Sequence, residues 1–227
     1  MCAKCQVFSP LTSREARAIL EAKSMKREEL KNSIHLTKGK SFWKPDLSRV
    51  EKDGRSLMVK DVARMSFPFR WTLGLWLIRK EWKIYARLGN MGGIPRNPER
   101  IDRFAFAMGF VQGRPLERGE ELPVSFFRDL EQVLREVHAK GVVHLDLRHK
   151  GNILVAETGE PYLIDFNSSF AFDDKGILRR FLFPILQRVD YGGFLKLKQR
   201  VSPSLMTPQE LSYLKRFNWL RKLWIFN

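Results

Sequence analysis

The sequence predicts an α+β fold: a small first lobe built on a sheet with one key helix, followed by a compact, mostly helical second lobe. Three observations carry this. "SLMVKDV" (Ser56–Val62) and "RFAFAMGFV" (Arg103–Val111) are short apolar runs bounded by turn residues, as strands are. Between them "RWTLGLWLIRKEWKIYARLGN" (Arg70–Asn90) is long, rich in Trp and Leu, and reads as a helix. Beyond them the only strand signal is the hairpin "NILVAETGEPYLID", and from Asp174 onward the chain reads mostly helical.

The remaining elements follow in order. The charged stretch "SREARAILEAKSMKREELKNS" (Ser13–Ser33) reads as a helical extension over residues 1–33. "KDGR" is the turn ahead of the first strand, and "NMGGIPRNPER" breaks the chain after the long helix. The break near "VQGRP" marks a hinge, with a first lobe over 34–111 and a second over 112–227. In "PVSFFRDLEQVLREVHAKG" (Pro123–Gly141), Phe127, Leu130, Val133, Leu134 and Val137 recur at helical spacing, and Gly141 is the stop signal. In "TPQELSYLKRFNWLRKLWIFN" (Thr207–Asn227), Thr207, Pro208 and Glu210 form a helix start. Tyr213, Leu214, Phe217, Leu220 and Trp224 then share one face. That helix either docks on the second lobe or lies among lipid headgroups, with Trp219 and Trp224 at the boundary.

Composition narrows the partners. The chain has 227 residues, 44% hydrophobic and 29% charged, enough for one globular domain with a real core. Its net charge of +16 favours anionic partners: phosphates, nucleic acid or anionic membrane surfaces. From Lys175 to the end, eleven basic residues face two acidic ones. Cys2 and Cys5 are the only cysteines, too few for a disulfide framework, and no second pair completes a metal site. With no secretory h-region after Met1 and no bilayer-length apolar run, the expected location is cytoplasmic.

The chemistry concentrates in "VVHLDLRHKGNILVAETGEPYLIDFNSSF" (Val142–Phe170). Asp146 and Asp165 stand in apolar surroundings, where a carboxylate costs free energy unless it meets positive charge. Asn152 opens the hairpin and Asp165 closes it 13 residues later, which brings the two side by side. Their oxygens would then face one cleft, suited to Mg²⁺ or Mn²⁺. Asp146 lies within reach, free to accept a proton from a hydroxyl, as phosphoryl transfer requires.

At these residues the chain resembles the protein-kinase-like fold. "HLDLRHKGN" is similar to the catalytic loop H-R-D-x-x-x-x-N, and "IDFN" to D-F-G. "MVKDV" resembles the strand bearing the phosphate-binding lysine, which gives Lys60. "LIRKEWKIYARL" offers Glu81 as its partner, and "AMGFVQG" resembles the hinge strand. The resemblance covers roughly Ile34–Phe172. It implies ATP bound between two lobes, with Met108 at the adenine pocket and backbone groups of Gly109, Phe110 and Val111 holding the base. It further implies Lys60 on the phosphates, Glu81 orienting Lys60, Asn152 and Asp165 on the metal, and Asp146 orienting the acceptor hydroxyl. His144 is expected to pack and hydrogen-bond backbone rather than act as a base.

Several departures from that pattern shape the expected acceptor. No Gly-rich loop precedes Lys60; only "TKGKSFWK", with Gly39, Lys38, Lys40 and Lys44, is available to cover phosphates. Asn152 follows Asp146 by six residues rather than five, so the loop should bulge by one. Leu145 stands where an arginine is usual, Asn167 replaces the glycine of D-F-G, and no A-P-E follows, which removes the platform for an extended peptide. These features are most similar to the small bacterial lipopolysaccharide kinases of the Kdo/heptose type. That resemblance implies an ATP-dependent kinase acting on a sugar hydroxyl of an envelope glycolipid, peripheral to the inner face of the cytoplasmic membrane, and not a nucleic-acid binder. Two alternatives stay open: an atypical RIO-like protein serine/threonine kinase, and a catalytically dead scaffold serving as a basic binding module.

Overall fold

The computed structural model of the chain describes residues 25–37, 44–173 and 176–223. Its largest sheet is five-stranded, in the order β1-β2-β3-β5-β4, with every neighbour antiparallel. The strands are β1 (Ile34–Thr37), β2 (Asp46–Lys52), β3 (Arg55–Asp61), β4 (Glu99–Arg100) and β5 (Ala105–Gly109). The β2–β3 hairpin closes at Asp53-Gly54, both at positive φ (50° and 71°), so Lys52 pairs Arg55 across a two-residue turn.

The period of two assigns each face of this sheet. Leu57, Val59, Ala105 and Ala107 point to one side and join Met25 and Val50 in a small cluster. Met58 and Lys60 point to the other side, opposite Met108 and Phe106 in the β3–β5 register. That side is covered by helix α1 (Leu75–Leu88), which follows Phe67–Phe69 and a π-helical turn at Arg70–Gly74 and ends at Gly89 (φ 67°). Its buried stripe is Ile78, Glu81, Ile84, Tyr85 and Leu88, at helical spacing with one acid among apolar residues.

The rest is mainly helical: α2 (Val124–Ala139), α3 (Ile177–Phe181), α4 (Phe183–Val201) and α5 (Pro208–Leu223). Small sheets punctuate it. β6 (Gly113–Pro115), β8 (Ile153–Ala156) and β9 (Pro161–Leu163) form one in the order β6-β8-β9, while β7 (Val142–Val143) pairs β10 (Phe170–Ala171). The chain leaves the large sheet at Gly109 and enters the three-stranded one at Gly113, across the predicted hinge. Helix α2 buries all five residues singled out from its spacing, and Gly141 stops it at φ 73°. One apolar core runs from Phe106 and Tyr85 through Leu130, Val137 and Phe166 to Phe194 and Leu214. Each such side chain contributes about 1.5–3 kcal/mol on burial.

One predicted helix differs in the structure. Within Ser13–Ser33, residues 13–24 lie outside the described set, and Arg27–Asn32 is a 3-10 helix rather than α-helix. Glu29 caps the Lys26 amide at 2.7 Å, and Arg27 ion-pairs with Asp61 (2.8 Å) and with Asp102. The turn is thus pinned to β3 and to the loop before β5, with Met25 buried in the sheet's small cluster. Helix α5 begins at the predicted reciprocal box, Thr207 amide to Glu210 Oε2 (2.8 Å) and Glu210 amide to Thr207 Oγ1 (3.2 Å). Its Leu214 is buried, Phe217 abuts Gly192, and Glu210 pairs with Lys198 at 2.7 Å. The start of the predicted apolar face is therefore docked on α4; the side chains of Leu220 and Lys222, and all of Trp224, lie outside the described residues. No helix among the described residues is long and apolar enough to cross a membrane.

Gly93 tests how tightly β9 is held. It sits at φ 70°, a Cβ there would lie 2.3 Å from Val133 Cγ2, and its carbonyl accepts from the Leu163 amide at 2.8 Å. Gly93→Ala should cost about 2 kcal/mol or more in denaturant unfolding. Gly92→Ala, with nothing within 4 Å of its Cβ position, should be near neutral.

Candidate functional site

The centre of the site is a lysine between two carboxylates. Lys60 Nζ donates to Glu81 Oε1 at 2.6 Å and to Asp165 Oδ1 at 2.9 Å. The strand's period turns Lys60 inward, the helical stripe brings Glu81 beneath it, and the end of the β8–β9 hairpin supplies Asp165. The Lys60 and Glu81 side chains are 6% and 1% exposed, while that of Asp165 is 41% exposed. Burial works against the Lys60 cation, but Glu81 and Asp165 outweigh it and raise its pKa. Burial pushes the Glu81 carboxyl up, against the pull of Lys60. Burial also opposes the Asp165 charge, yet the Lys60 ammonium holds that carboxyl below its usual range. The result is a fixed ammonium with one carboxylate sealed behind it and another facing outward.

Asp165 is held by its backbone. It adopts φ 62°, a left-handed conformation that is strained for a residue with a side chain. Its amide donates to Tyr85 Oη at 3.2 Å, and the next amide, Phe166, donates to Glu81 Oε1 at 3.2 Å. Phe166 is fully buried against the Tyr85 and His144 rings, at centroid distances of 5.1 and 4.8 Å. Glu81 therefore bonds both the lysine and the backbone beside Asp165.

The predicted pairing of Asn152 with the Asp165 strand is present. Ile153 pairs Leu163, and the Ile164 amide donates to the Asn152 carbonyl at 2.8 Å. The extra residue before Asn152 is absorbed by a 3-10 turn at Lys150–Asn152. Asn152 Nδ2 donates to the Asp146 carbonyl (3.0 Å) and to Asp146 Oδ2 (2.9 Å), leaving Oδ1 as the oxygen Asn152 can offer a cation. The other Asp146 oxygen, Oδ1, is the one that can receive a hydroxyl proton.

Asp190, on α4, is the residue that sequence reasoning missed. It is 1% exposed and accepts from the His144 amide (2.7 Å), the Leu145 amide (2.6 Å) and His138 Nε2 (2.9 Å). These bonds hold Leu145 at φ 65° and aim the loop that carries Asp146. An acid near the middle of a long basic helix was the available signal. His144 is fully buried; its Nδ1 accepts from the Asp146 amide at 3.3 Å, so Nε2 donates to the Ile164 carbonyl at 3.1 Å. Burial lowers its pKa and keeps it neutral, as a packing residue.

The other predicted contributors are placed more loosely. Met108 is buried in β5 opposite Met58. The Gly109 amide donates to the Arg96 carbonyl (2.7 Å) and the Phe110 amide to the Ser56 carbonyl (2.9 Å), so these two amides are engaged within the chain. Phe110 lies 4.6 Å beneath the Arg49 guanidinium. Arg148, His149 and Lys150 are exposed, as is Lys44; Lys38, Gly39, Lys40, Cys2 and Cys5 lie outside the described residues. Among the described residues no group of three or more His, Cys, Asp or Glu could hold a metal. Two clefts of about 360 Å³ each lie elsewhere, one between α2, α4 and α5 and one beside the Arg27–Asn32 turn.

His144 sets an acid limit on this site. Its folded pKa is depressed, so below about pH 6.5 the unfolded chain takes up a proton that the folded chain excludes, and stability falls as pH falls. Asp165, also depressed, adds to the loss below about pH 4. Unfolding free energies from urea titrations between pH 7.5 and 5 should decline for the wild type by up to ~1.4 kcal/mol per pH unit, and His144→Gln should flatten the slope.

No protein-family model matches the chain, and no curated protein matches it.

Proposed function

We propose that the chain is an ATP-dependent phosphotransferase with a bilobal, protein-kinase-like arrangement, the large sheet and α1 forming one lobe and the helical remainder the other. The single observation that carries this is the Lys60–Glu81–Asp165 cluster: three residue types suited to phosphate and metal, drawn from elements 21 and 105 residues apart. A lysine held between carboxylates is charged and aimed, which is what a polyphosphate needs. The donor set also suits a magnesium ion. Mg²⁺ takes one or two protein oxygens and completes its shell with water and phosphate, and Asp165 with Asn152 Oδ1 provides two. When bound, the cation neutralises phosphate charge that Lys60 alone cannot balance.

In this reading Lys60 binds the α- and β-phosphates and Glu81 keeps it oriented. Asp165 and Asn152 hold the metal. Asp146, its Oδ2 fixed by Asn152, orients the acceptor hydroxyl through Oδ1 and accepts its proton late in transfer. The acceptor we favour is a sugar hydroxyl of an envelope glycolipid. The stretch from Asn167 to α3 is too short to build a platform for an extended peptide, and the net charge of +16 suits a phosphorylated, membrane-held acceptor.

The test is transfer of label from γ-labelled ATP to a glycolipid fraction from cell envelopes. Asp165→Ala should lower it by at least about a hundredfold while the melting temperature stays close to wild type, since Asp165 is partly exposed and Lys60 keeps Glu81. Lys60→Ala is the less clean variant, because it strands a buried carboxylate at a cost of about 3–5 kcal/mol. Undiminished transfer by Asp165→Ala would refute the assignment. Label appearing in protein and not in glycolipid would replace the acceptor.

A further inference from the structure

We propose that the segment Phe67–Trp76 is a docking surface for an anionic lipid bilayer, seated beside the Asp165 loop. A surface helix ordinarily turns its large apolar side chains inward. Here the order is reversed. Phe67–Phe69 buries none of its residues, and the turn Arg70–Gly74 buries Gly74 alone. Gly74 fits because it has no side chain: a Cβ there would lie 3.3 Å from both Met65 Sδ and Val62 Cγ2. The segment lies on the body by its smallest residue and holds its largest outward. Phe67 is 71% exposed and Trp76 52%, with Phe69, Trp71 and Leu73 also exposed. Isolated exposed apolar residues are ordinary, but a contiguous run rich in Phe and Trp marks an interaction surface.

The charges select the occupant. From Val62 to Lys80 the sequence contains Arg64, Arg70, Arg79 and Lys80 and no acidic residue. Arg103 lies over the Trp71 ring at 5.6 Å, and Lys80 lies 4.7 Å from the Trp76 ring. Aromatic side chains rimmed by cations, Trp prominent among them, complement an interface of acyl chains beneath anionic headgroups. Helix α5 lacks this character along its described length: Leu214 is buried, and Trp219 is the large apolar side chain standing out beyond Leu211.

Lys80 joins the surface to the site. Besides Trp76, its ammonium lies 4.9 Å from the exposed Phe170 ring and donates to the Asn167 carbonyl at 2.5 Å. Phe170 is five residues from Asp165, at most ~17 Å along the chain. A bilayer on this surface brings headgroups next to the segment that follows Asp165. The docking stands independently of phosphotransfer; its use, presenting a membrane-held acceptor, rests on the reading given above.

The experiment is sedimentation of the full chain with phosphatidylglycerol-containing vesicles and with pure phosphatidylcholine vesicles, with tryptophan emission recorded in parallel. Wild type should bind the anionic vesicles, shift its emission to the blue and be released by salt. Phe67→Ser with Trp76→Ser should weaken partitioning on the order of a hundredfold. Phe67→Ser alone, at the most exposed position of the segment, guards against misfolding and should weaken it by roughly tenfold, whereas Trp219→Ser should leave it unchanged. The proposal is overturned if wild type binds neither vesicle, if the double variant binds as wild type does, or if the surface instead mediates a concentration-dependent dimer that Phe67→Ser abolishes. Vesicle binding without kinase activity would retain the surface and reject the phosphotransferase; kinase activity without vesicle binding would do the reverse.

Discussion

Everything at the candidate site depends on the buried ion pair between Lys60 and Glu81. Two charges withdrawn from water are a poor way to stabilise a fold, because their desolvation consumes most of their attraction. Here the pair also connects. Glu81 binds the lysine with one oxygen, and that same oxygen accepts the Phe166 amide beside Asp165. The large sheet, helix α1 and the end of the β8–β9 hairpin meet at this carboxylate. Removing it would release three elements from one another and leave a buried ammonium with only a half-exposed aspartate to face.

A second buried carboxylate does comparable work on the other side. Asp190 fixes the two amides that hold Leu145 in its left-handed conformation, and so sets the direction of the loop carrying Asp146. Leu145 and Asp165 are both non-glycine residues at positive φ, near 65° and 62°. Such backbone persists only when its surroundings determine it. Asp190, His144, Tyr85 and Phe166 are those surroundings, and each is buried to 1% exposure or less. Asp146 and Asp165 are thus half-exposed, while the groups that aim them are sealed.

The sequence made some of this plain and concealed the rest for definable reasons. Lys60 and Glu81 were legible only through the resemblance of "MVKDV" and "LIRKEWKIYARL" to the kinase-like pattern, Asn152 with Asp165 because a short hairpin fixes their separation. Strand β2 was not legible: "DLSRVEK" leaves most of its side chains half-buried, and only Ser48 and Val50 point to buried positions. Asp190 was not legible because its partners are backbone amides 45 and 46 residues away, which leave no pattern. Propensity favoured α-helix across the charged stretch before β1, but Arg27–Asn32 is a 3-10 helix tied down by the tertiary ion pairs of Arg27. The outward face of Phe67–Trp76 was not legible either, because composition alone does not say which side of an aromatic-rich segment meets the body. Only the placement of Gly74 against the body reveals that its large side chains face out.

The central claim is that this charge cluster holds a magnesium–nucleotide complex, and calorimetric titration tests it most directly. ATP should bind the wild-type chain saturably in the presence of Mg²⁺ and lose most of its affinity on chelation. It should bind Asp165→Asn much more weakly, with the fold retained. ATP binding that ignores both the chelator and the Asp165 substitution, or no binding by the wild type, would contradict the account.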